Sequence, residues 1–353
     1  MLSAEPSLVH PWNCTPPSAN QGECAPEWNS MMRITSLMLA AAVVCVALPA
    51  NGGSYPEKSV QIIADSAAGS TPDVALRFFA EELTARWGQQ VIVINKPGAG
   101  GSLGARAAAE AVADGYTLYQ PVLSTFVALR PAASNIPLQV PRDFLPIGFV
   151  AENPMFFAVS PKSGIATVAE LIALAKKHPG EISYATTGVG RLTHLAGELL
   201  QHQAQIELQL VPYTGGPSHA LSDLATGRVG MIIEGYSGIA GAVQSGAVKL
   251  IGVASANRLP QFSMVPTMAE TIPGFLATGW GVLVAPVGTS PDIIEKVNRD
   301  LQAVGHDPVL QRKIADLGSY ARPMSVTETV AFIHQQQNMW NPVLAQIASK
   351  QAK

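Results

Sequence analysis

"VQIIADSAAGSTPDVALRFFAEELTARWGQQVIVIN", Val60 to Asn95, decides the fold. It opens on VQIIAD, a β-branched apolar run that reads as a buried strand. A helical pattern follows from Pro72 to Gly88. Proline suits a first helical turn, Val74, Phe78 and Leu83 fall near helical spacing, and Gly88 is a stop signal. VIVIN, Val91–Asn95, is a second strand. The chain then passes through "NKPGAGG" into the helical stretch "SLGARAAAEAVA", with Ser102 as its expected N-cap. "YTLYQPV" is a third strand. Strand, helix, strand, helix, strand predicts a parallel α/β unit.

The alternation returns from Met155. "MFFAVS", "ISYATTG", "LQLVPY", "VGMIIEGY" and "VKLIGVAS" read as strands. Helical patterns stand between them, the first with Thr167 as N-cap and Glu170 in the capping-box position. "GWGVLVAPVG" is a further apolar strand, and three helices follow it to the C-terminus. Extended segments near "FFAVS" and "GWGVLVAP" join the two α/β units, and the C-terminal helices are expected to return to the first. The expectation is therefore two lobes, a cleft between them and a two-segment hinge. Residues 54–156 with 283–353 make one lobe and 157–282 the other. Ligands in open α/β sheets bind beyond the carboxyl ends of the strands. That singles out the loops "DSAAGSTPD", "NKPGAGGS", "VLSTF", "ATTGVGRLTH", "PYTGGPS" and "EGYSG".

Composition narrows the function classes. With 48% hydrophobic residues, the chain of 353 residues can bury a large core. A net charge of -3 without a basic face argues against nucleic acid. Met31-Met32-Arg33 followed by the apolar run Ser36 to Leu48 and "PANGG" reads as a signal peptide over residues 31–52, too short to span a bilayer comfortably. Residues 1–30 then read as an untranslated upstream extension, with the start at Met31 or Met32. Cys14, Cys24 and Cys45 all precede the expected cleavage, so the exported chain is expected to lack disulfides.

The glycine-rich stretch contains Gly100, Ser102 and Gly104, the Gly-x-Ser-x-Gly spacing of a nucleophile elbow. An elbow needs its serine directly after a strand, and here "KPGAGG" intervenes. A dinucleotide fingerprint needs glycine where Leu103 stands, and no Gly-Lys-Ser/Thr follows. What remains is backbone N–H groups at a helix N-terminus, suited to an anion. "SAAGSTPD" makes the same arrangement one strand earlier, with Ser66, Ser70 and Thr71 as further donors. Both loops also read as plain strand-to-helix turns.

In "TTGVGRLTH", Thr187, Arg191 and Thr193 are candidate donors, and Arg191 suits a bidentate carboxylate pair. His194 reads either as a ligand contact or as a structural histidine. His194 and His202 form no zinc motif, and no metal or cofactor is expected. Asp73 and Asp223 suit helix dipoles. Glu234 ends a buried strand, where it would select a ligand amine or hydroxyl. Many donor loops without an acid–base pair favour binding over catalysis, so no catalytic residue is assigned.

These residues resemble the substrate-binding proteins of tripartite tricarboxylate transporters, the Bug family. The resemblance rests on Tyr55-Pro56, Asp73 with Arg77, Gly88-Gln89, "NKPGAGG", "DGYTL", "ATTGVGRLTHLAGELL", "VPYTGG", "VPTMAE", Trp280 and "APVGTSPDIIEKVN". It runs through nearly the whole chain after Gly53. It implies a periplasmic, monomeric Venus-flytrap protein of type II that captures a small organic carboxylate for membrane transporter subunits. The first-lobe positions it implies are Ala67, Ala68, Gly69, Ser70, Asn95, Pro97, Gly98 and Ala99; Thr71, and Ser124 and Thr125 in "VLSTF", are candidates as loop donors. Thr187, Gly188, Arg191, His194 and Tyr213 are implied from the second lobe, and Glu234 joins them by its place at a strand end. The chain departs from the family pattern at "AGSTPD" and at Arg191, where a small residue is common. Arg191 is expected to add a charge contact that favours a diacid. A ligand sensor for a signalling receptor and a secreted serine hydrolase using Ser102 are the alternative readings.

Overall fold

The computed structural model describes residues 55–127, 138–213 and 216–351. The expected signal peptide, the upstream extension and all three cysteines lie outside the described residues. The first unit follows the expected order: β1 (Val60–Ala64), α1 (Thr71–Trp87), β2 (Val91–Asn95), α2 (Ser102–Ala109) and β3 (Thr117–Gln120). A single helical turn, α3 (Leu123–Phe126), follows β3. β1 pairs in parallel with both β2 and β3.

Helix α1 starts after Ser70 with Pro72 in its first turn. It ends at Gly88, whose left-handed φ of 64° lets its N–H reach the Thr84 carbonyl. Its buried face is Ala75, Leu76, Phe79 and Leu83. Val74 and Phe78, which sequence spacing assigned to that face, sit half-buried at its edge. Phe79 is 1% exposed, a burial that stabilises by about 1.5–3 kcal/mol.

The sequence reading lacked one strand. β4 (Phe144–Pro154) is the longest in the chain's described residues, and it contains Pro146, Gly148 and Pro154. Both its faces are buried, so no alternation marks it. It lies at the edge of the sheet, where proline costs fewest ladder bonds. At Gly148 a Cβ would stand 2.8 Å from Leu301 and 2.9 Å from Asn298, so the glycine admits close packing of a C-terminal helix.

The second unit contains β5 (Phe156–Val159), α4 (Val168–Lys177), β6 (Ser183–Thr186), α5 (Leu192–Ala204), β7 (Gln209–Pro212), α6 (Pro217–Thr226), β8 (Met231–Glu234), α7 (Tyr236–Gln244) and β9 (Lys249–Val253). Thr167 caps α4 by accepting from the Glu170 N–H at 3.1 Å, as its spacing predicted. The chain then returns through β10 (Thr278–Pro286) to α8 (Pro291–Gly305), α9 (Pro308–Asp316) and α10 (Val326–Gln351).

Two five-stranded sheets result, in the orders β2-β1-β3-β10-β4 and β7-β6-β8-β5-β9. They are mixed rather than wholly parallel. β10 runs antiparallel to β3 and β4, and β5 antiparallel to β8 and β9. Each of these strands arrives from the other unit and so enters its sheet in the opposite direction. Between the sheets, Met155 N–H donates to Ala277, Ala277 N–H to Ala254, and Ala254 N–H to Met155, at 2.8–3.1 Å.

α1 and α8 cover one face of the first sheet with Leu76, Phe79, Val297 and Leu301. A second apolar cluster covers the opposite face with Tyr119, Phe126, Trp280 and Phe332, and continues into the second unit through Phe157, Leu195 and Leu199. Phe156, Leu224 and Ile239 belong to a third cluster on the other side of the second sheet. Among the described residues no helix is long and apolar enough to cross a membrane.

Candidate functional site

The carboxyl ends of β1, β2 and β3 carry the first set of loops. Asp73, in the first turn of α1, is buried and lashes two of them together. Its Oδ2 accepts from Gly69 N–H at 2.8 Å and Arg77 Nε at 3.1 Å, and its Oδ1 from Asn95 Nδ2 at 2.7 Å. Asn95 also donates to the Ser66 carbonyl at 3.1 Å and accepts from Arg77 at 2.7 Å. Asn95 is thus a brace, with both ends of its amide engaged. Ser70 directs its N–H and its hydroxyl to the Ala67 carbonyl, at 3.1 and 2.6 Å. The exposed tip keeps Ala67 and Ala68, whose N–H groups have no acceptor among the described hydrogen bonds.

The glycine-rich turn after β2 takes positive φ at four successive residues, Gly98 to Gly101. Such a turn is lined by backbone, as an anion cradle needs. Pro97 and Ala99 are exposed on it. Gly101 is fixed from below: a Cβ there would stand 2.5 Å from Thr125 Oγ1 and 2.7 Å from Asp65 Oδ2. Ser102 is the first residue of α2 rather than its N-cap, a position taken by Gly101. The Ser102 hydroxyl donates to the Ala99 carbonyl at 2.9 Å, which closes the turn.

Asp65, unassigned by sequence, is the buried centre of this end of the sheet. It follows directly on the strand run, at 0% exposure. Tyr119 donates to its Oδ2 at 3.0 Å, and Thr125 donates to the same oxygen. Burial pushes this carboxyl above the ordinary range, against the pull of Arg191 and these two hydroxyls. Asp65 Oδ1 and the buried Ser66 hydroxyl have no hydrogen-bond partner among the described residues.

The second set of loops follows β6 and β8. Arg191 stands at the N-terminal end of α5, and its guanidinium reaches the first unit. One Nη donates to the Asp65 carbonyl at 2.8 Å and the other to Ser124 Oγ at 3.3 Å. Gly188, at φ 153°, lies under this side chain, with its notional Cβ 3.0 Å from Arg191 Cγ. Thr187 donates to Glu234 Oε2 at 2.8 Å, and Gly235 N–H to Oε1 at 2.9 Å. Burial raises the Glu234 carboxyl, opposed by these donors and by Arg191. Thr71 and Ser237 hydroxyls meet across the two units at 2.7 Å.

Two expected residues point elsewhere. His194 is buried, and its Nδ1 accepts from Gly190 N–H at 3.0 Å. Tyr213 donates to Asp223 at 2.8 Å, and burial with that carboxylate pushes its hydroxyl up to about 12. The geometry brings Thr71, Ser124, Thr125, Thr187, Arg191 and Glu234 together with Asp65 and Ser237, which the residue-by-residue reading did not assign. The available signal was positional: Asp65 directly follows β1, and Ser237 stands in the first turn of the helix that follows β8. Two shallow hollows lie apart from this junction, beside Lys176 and Gln201 and beside Ile172 and Ile272. Neither has a buried polar side chain in its lining. Among the described residues no cluster could hold a metal ion.

The sequence model for "Tripartite tricarboxylate transporter family receptor" matches residues 75–348. The chain belongs to this receptor family. Protein BugT of Bordetella pertussis is 31% identical over 328 residues, covering 91% of this chain and 99% of that one. Among solved structures, Rpa4515 of R. palustris with adipate aligns at a TM-score of 0.77 and 27% identity, covering 84% of this chain and 98% of that one. MatC of Rhodopseudomonas palustris with bound malate aligns at 0.72 and 26%, covering 82% and 100%.

Membership in this receptor family makes the chain a non-enzymatic solute receptor of the periplasmic binding protein type. The hydrolase reading of Ser102 therefore falls, and the internal bond of its hydroxyl agrees with that. The fold of two mixed five-stranded sheets is the family's fold.

Proposed function

We propose that this receptor captures a small organic carboxylate in the periplasm and hands it to membrane subunits of a tripartite tricarboxylate transporter. One observation carries the reading. Donors from two separate α/β units converge where Arg191 of the second meets Asp65 and Ser124 of the first. Adipate and malate in the related structures are small carboxylates of the kind such donors suit.

The lobes are residues 54–156 with 283–353, and 157–282, and they turn on the paired crossings at Met155 and Ala254–Ala277. The exposed tip Ala67 to Ser70 and the turn Pro97 to Ala99 offer backbone groups to the ligand, held in place by Asn95 and Asp73. Thr71, Ser124 and Thr125 border them. Thr187, Gly188, Arg191 and Glu234 close from the opposite lobe, with His194 and Tyr213 shaping the loops behind. Ligand favours the closed form by its differential affinity for that form. Residues 31–52 act as the signal peptide, and the exported chain works as a monomer.

A thermal-shift screen against short mono-, di- and tricarboxylates tests the function. A cognate acid at 100 times its Kd stabilises by about 2.7 kcal/mol, which is a clear rise in Tm. A chain that melts unchanged with every acid, at millimolar concentration, does not have this function.

A further inference from the structure

We infer that Gln337 of α10 is a positioning residue for ligand capture: from behind the cleft it holds α3, the turn that carries Ser124, at the place where that hydroxyl meets Arg191. The inference rests on the carboxylate-receptor reading and adds to it a residue outside the cleft loops.

The first ground is a polar group on an apolar face. In α10, Ile333, Gln337, Trp340 and Leu344 are all buried and follow one another at helical spacing, with Gln337 7% exposed. Leucine would serve the packing there, and a buried amide costs stability unless it is bonded. Gln337 is bonded. Its Nε2 donates to the Phe126 carbonyl at 3.1 Å and to the Leu138 carbonyl at 3.0 Å. Leu138 N–H in turn donates to the Thr125 carbonyl at 3.0 Å. One amide therefore ties the end of α3 to Leu138, and both to α10.

The second ground is that α3 cannot hold itself. It has four residues between the extended Val122 and Val127, and no side chain caps its start. A single turn fixes several dihedrals for one hydrogen bond, so its place is set by what grips it. Three grips are seen among the described residues. Thr125 donates to Asp65, Phe126 packs on Trp280 with ring centres 5.0 Å apart, and Gln337 takes the Phe126 carbonyl. Gln336 accepts from Trp280 Nε1 at 3.1 Å, so adjacent glutamines of α10 hold α3 and the ring it packs on.

The third ground is the narrow tolerance of the contact that α3 serves. Arg191 donates to Ser124 Oγ at 3.3 Å, near the outer limit of a hydrogen bond. A small further shift of the turn breaks it. That bond joins the two units, so its loss lowers the population of the form in which both face a ligand.

The experiment is calorimetric titration of the wild type, Gln337→Leu, Ser124→Ala and the double variant. Gln337→Met is a second probe of the same position. Ile314→Val, in the core on the other face of the first sheet, controls for lost stability. Succinate, malate, glutarate, adipate, citrate and benzoate are titrated into the wild type, and the tightest binder is carried through the series. Gln337→Leu and Ser124→Ala are each expected to weaken it about tenfold. The double variant should be weaker than either by no more than about twofold, because both changes remove one contact. Melting curves establish which variants are folded. Additive losses, wild-type affinity in Ser124→Ala or in the folded Gln337 variants, an equal loss in Ile314→Val, or failure of both Gln337 variants to fold each overturn the positioning role and leave the carboxylate reading standing. A wild type that binds none of the acids overturns that reading, and the positioning role with it.

Discussion

Gly101 shows how one missing side chain organises the first loop cluster. Its φ is +99°, and the space for a Cβ is already taken by Asp65 and Thr125. Gly69, at φ +77°, faces open space. The two glycines therefore separate strain from overlap. Gly69→Ala should cost about 1 kcal/mol from backbone conformation alone. Gly101→Ala should cost about 2–4 kcal/mol, because overpacking is added to the same strain. Urea denaturation of the two variants checks the difference, and equal losses would mean that the Asp65–Thr125 pair yields freely. Sequence alone supplied the glycines but not this distinction. Asp65 and Gly101 are 36 positions apart, and no local rule says that one lies beneath the other.

At the scale of elements, caps were far more legible than faces. Thr167 with Glu170 fixed the start of α4, and Gly88 marked the end of α1. Those signals are local, which is why they survive without tertiary context. β4 was illegible because burial on both faces erases its period and prolines mimic loop chemistry. Asp73 and Asp292 illustrate the same limit. Both lie in the first turn of a helix, where a carboxylate complements the dipole. Asp292 is exposed, and Asp292→Ala should cost about 0.3–1 kcal/mol. Asp73 also holds Gly69, Asn95 and Arg77, so Asp73→Ala should cost about 2–3 kcal/mol. The same variant should weaken carboxylate binding, since the first loop loses its tether. Chemical denaturation and titration of the pair test this, and matching losses would reduce Asp73 to a dipole partner.

For the whole molecule, the informative contacts are the few between the units. Thr71 with Ser237 spans 166 positions and Arg191 with Asp65 spans 126. Such pairings carry no spacing rule, so the alternation of strands and helices revealed two units without revealing where they touch. The Thr71–Ser237 contact also offers a direct probe of relative motion. In a background with Cys14, Cys24 and Cys45 changed to serine, Thr71→Cys with Ser237→Cys should form a disulfide on oxidation. Hydroxyl oxygens 2.7 Å apart place the two β-carbons near the reach of such a bond. Ligand exchange, followed by stopped-flow fluorescence, should slow on oxidation and recover on reduction. Exchange at the same rate in both redox states would show that this pair does not part when ligand enters.

The crossing at Met155, Ala254 and Ala277 has a consequence for assembling new receptors. Each of the three residues is bonded to the other two through main-chain atoms alone. The hydrogen bonds of that junction draw on no side chain, though all three side chains are buried in the core. A chimera that exchanges residues 155–277 with a relative whose core side chains match at the crossing would carry Arg191 and Glu234 but none of the first-unit loops. A recognition preference would travel with that segment as a module.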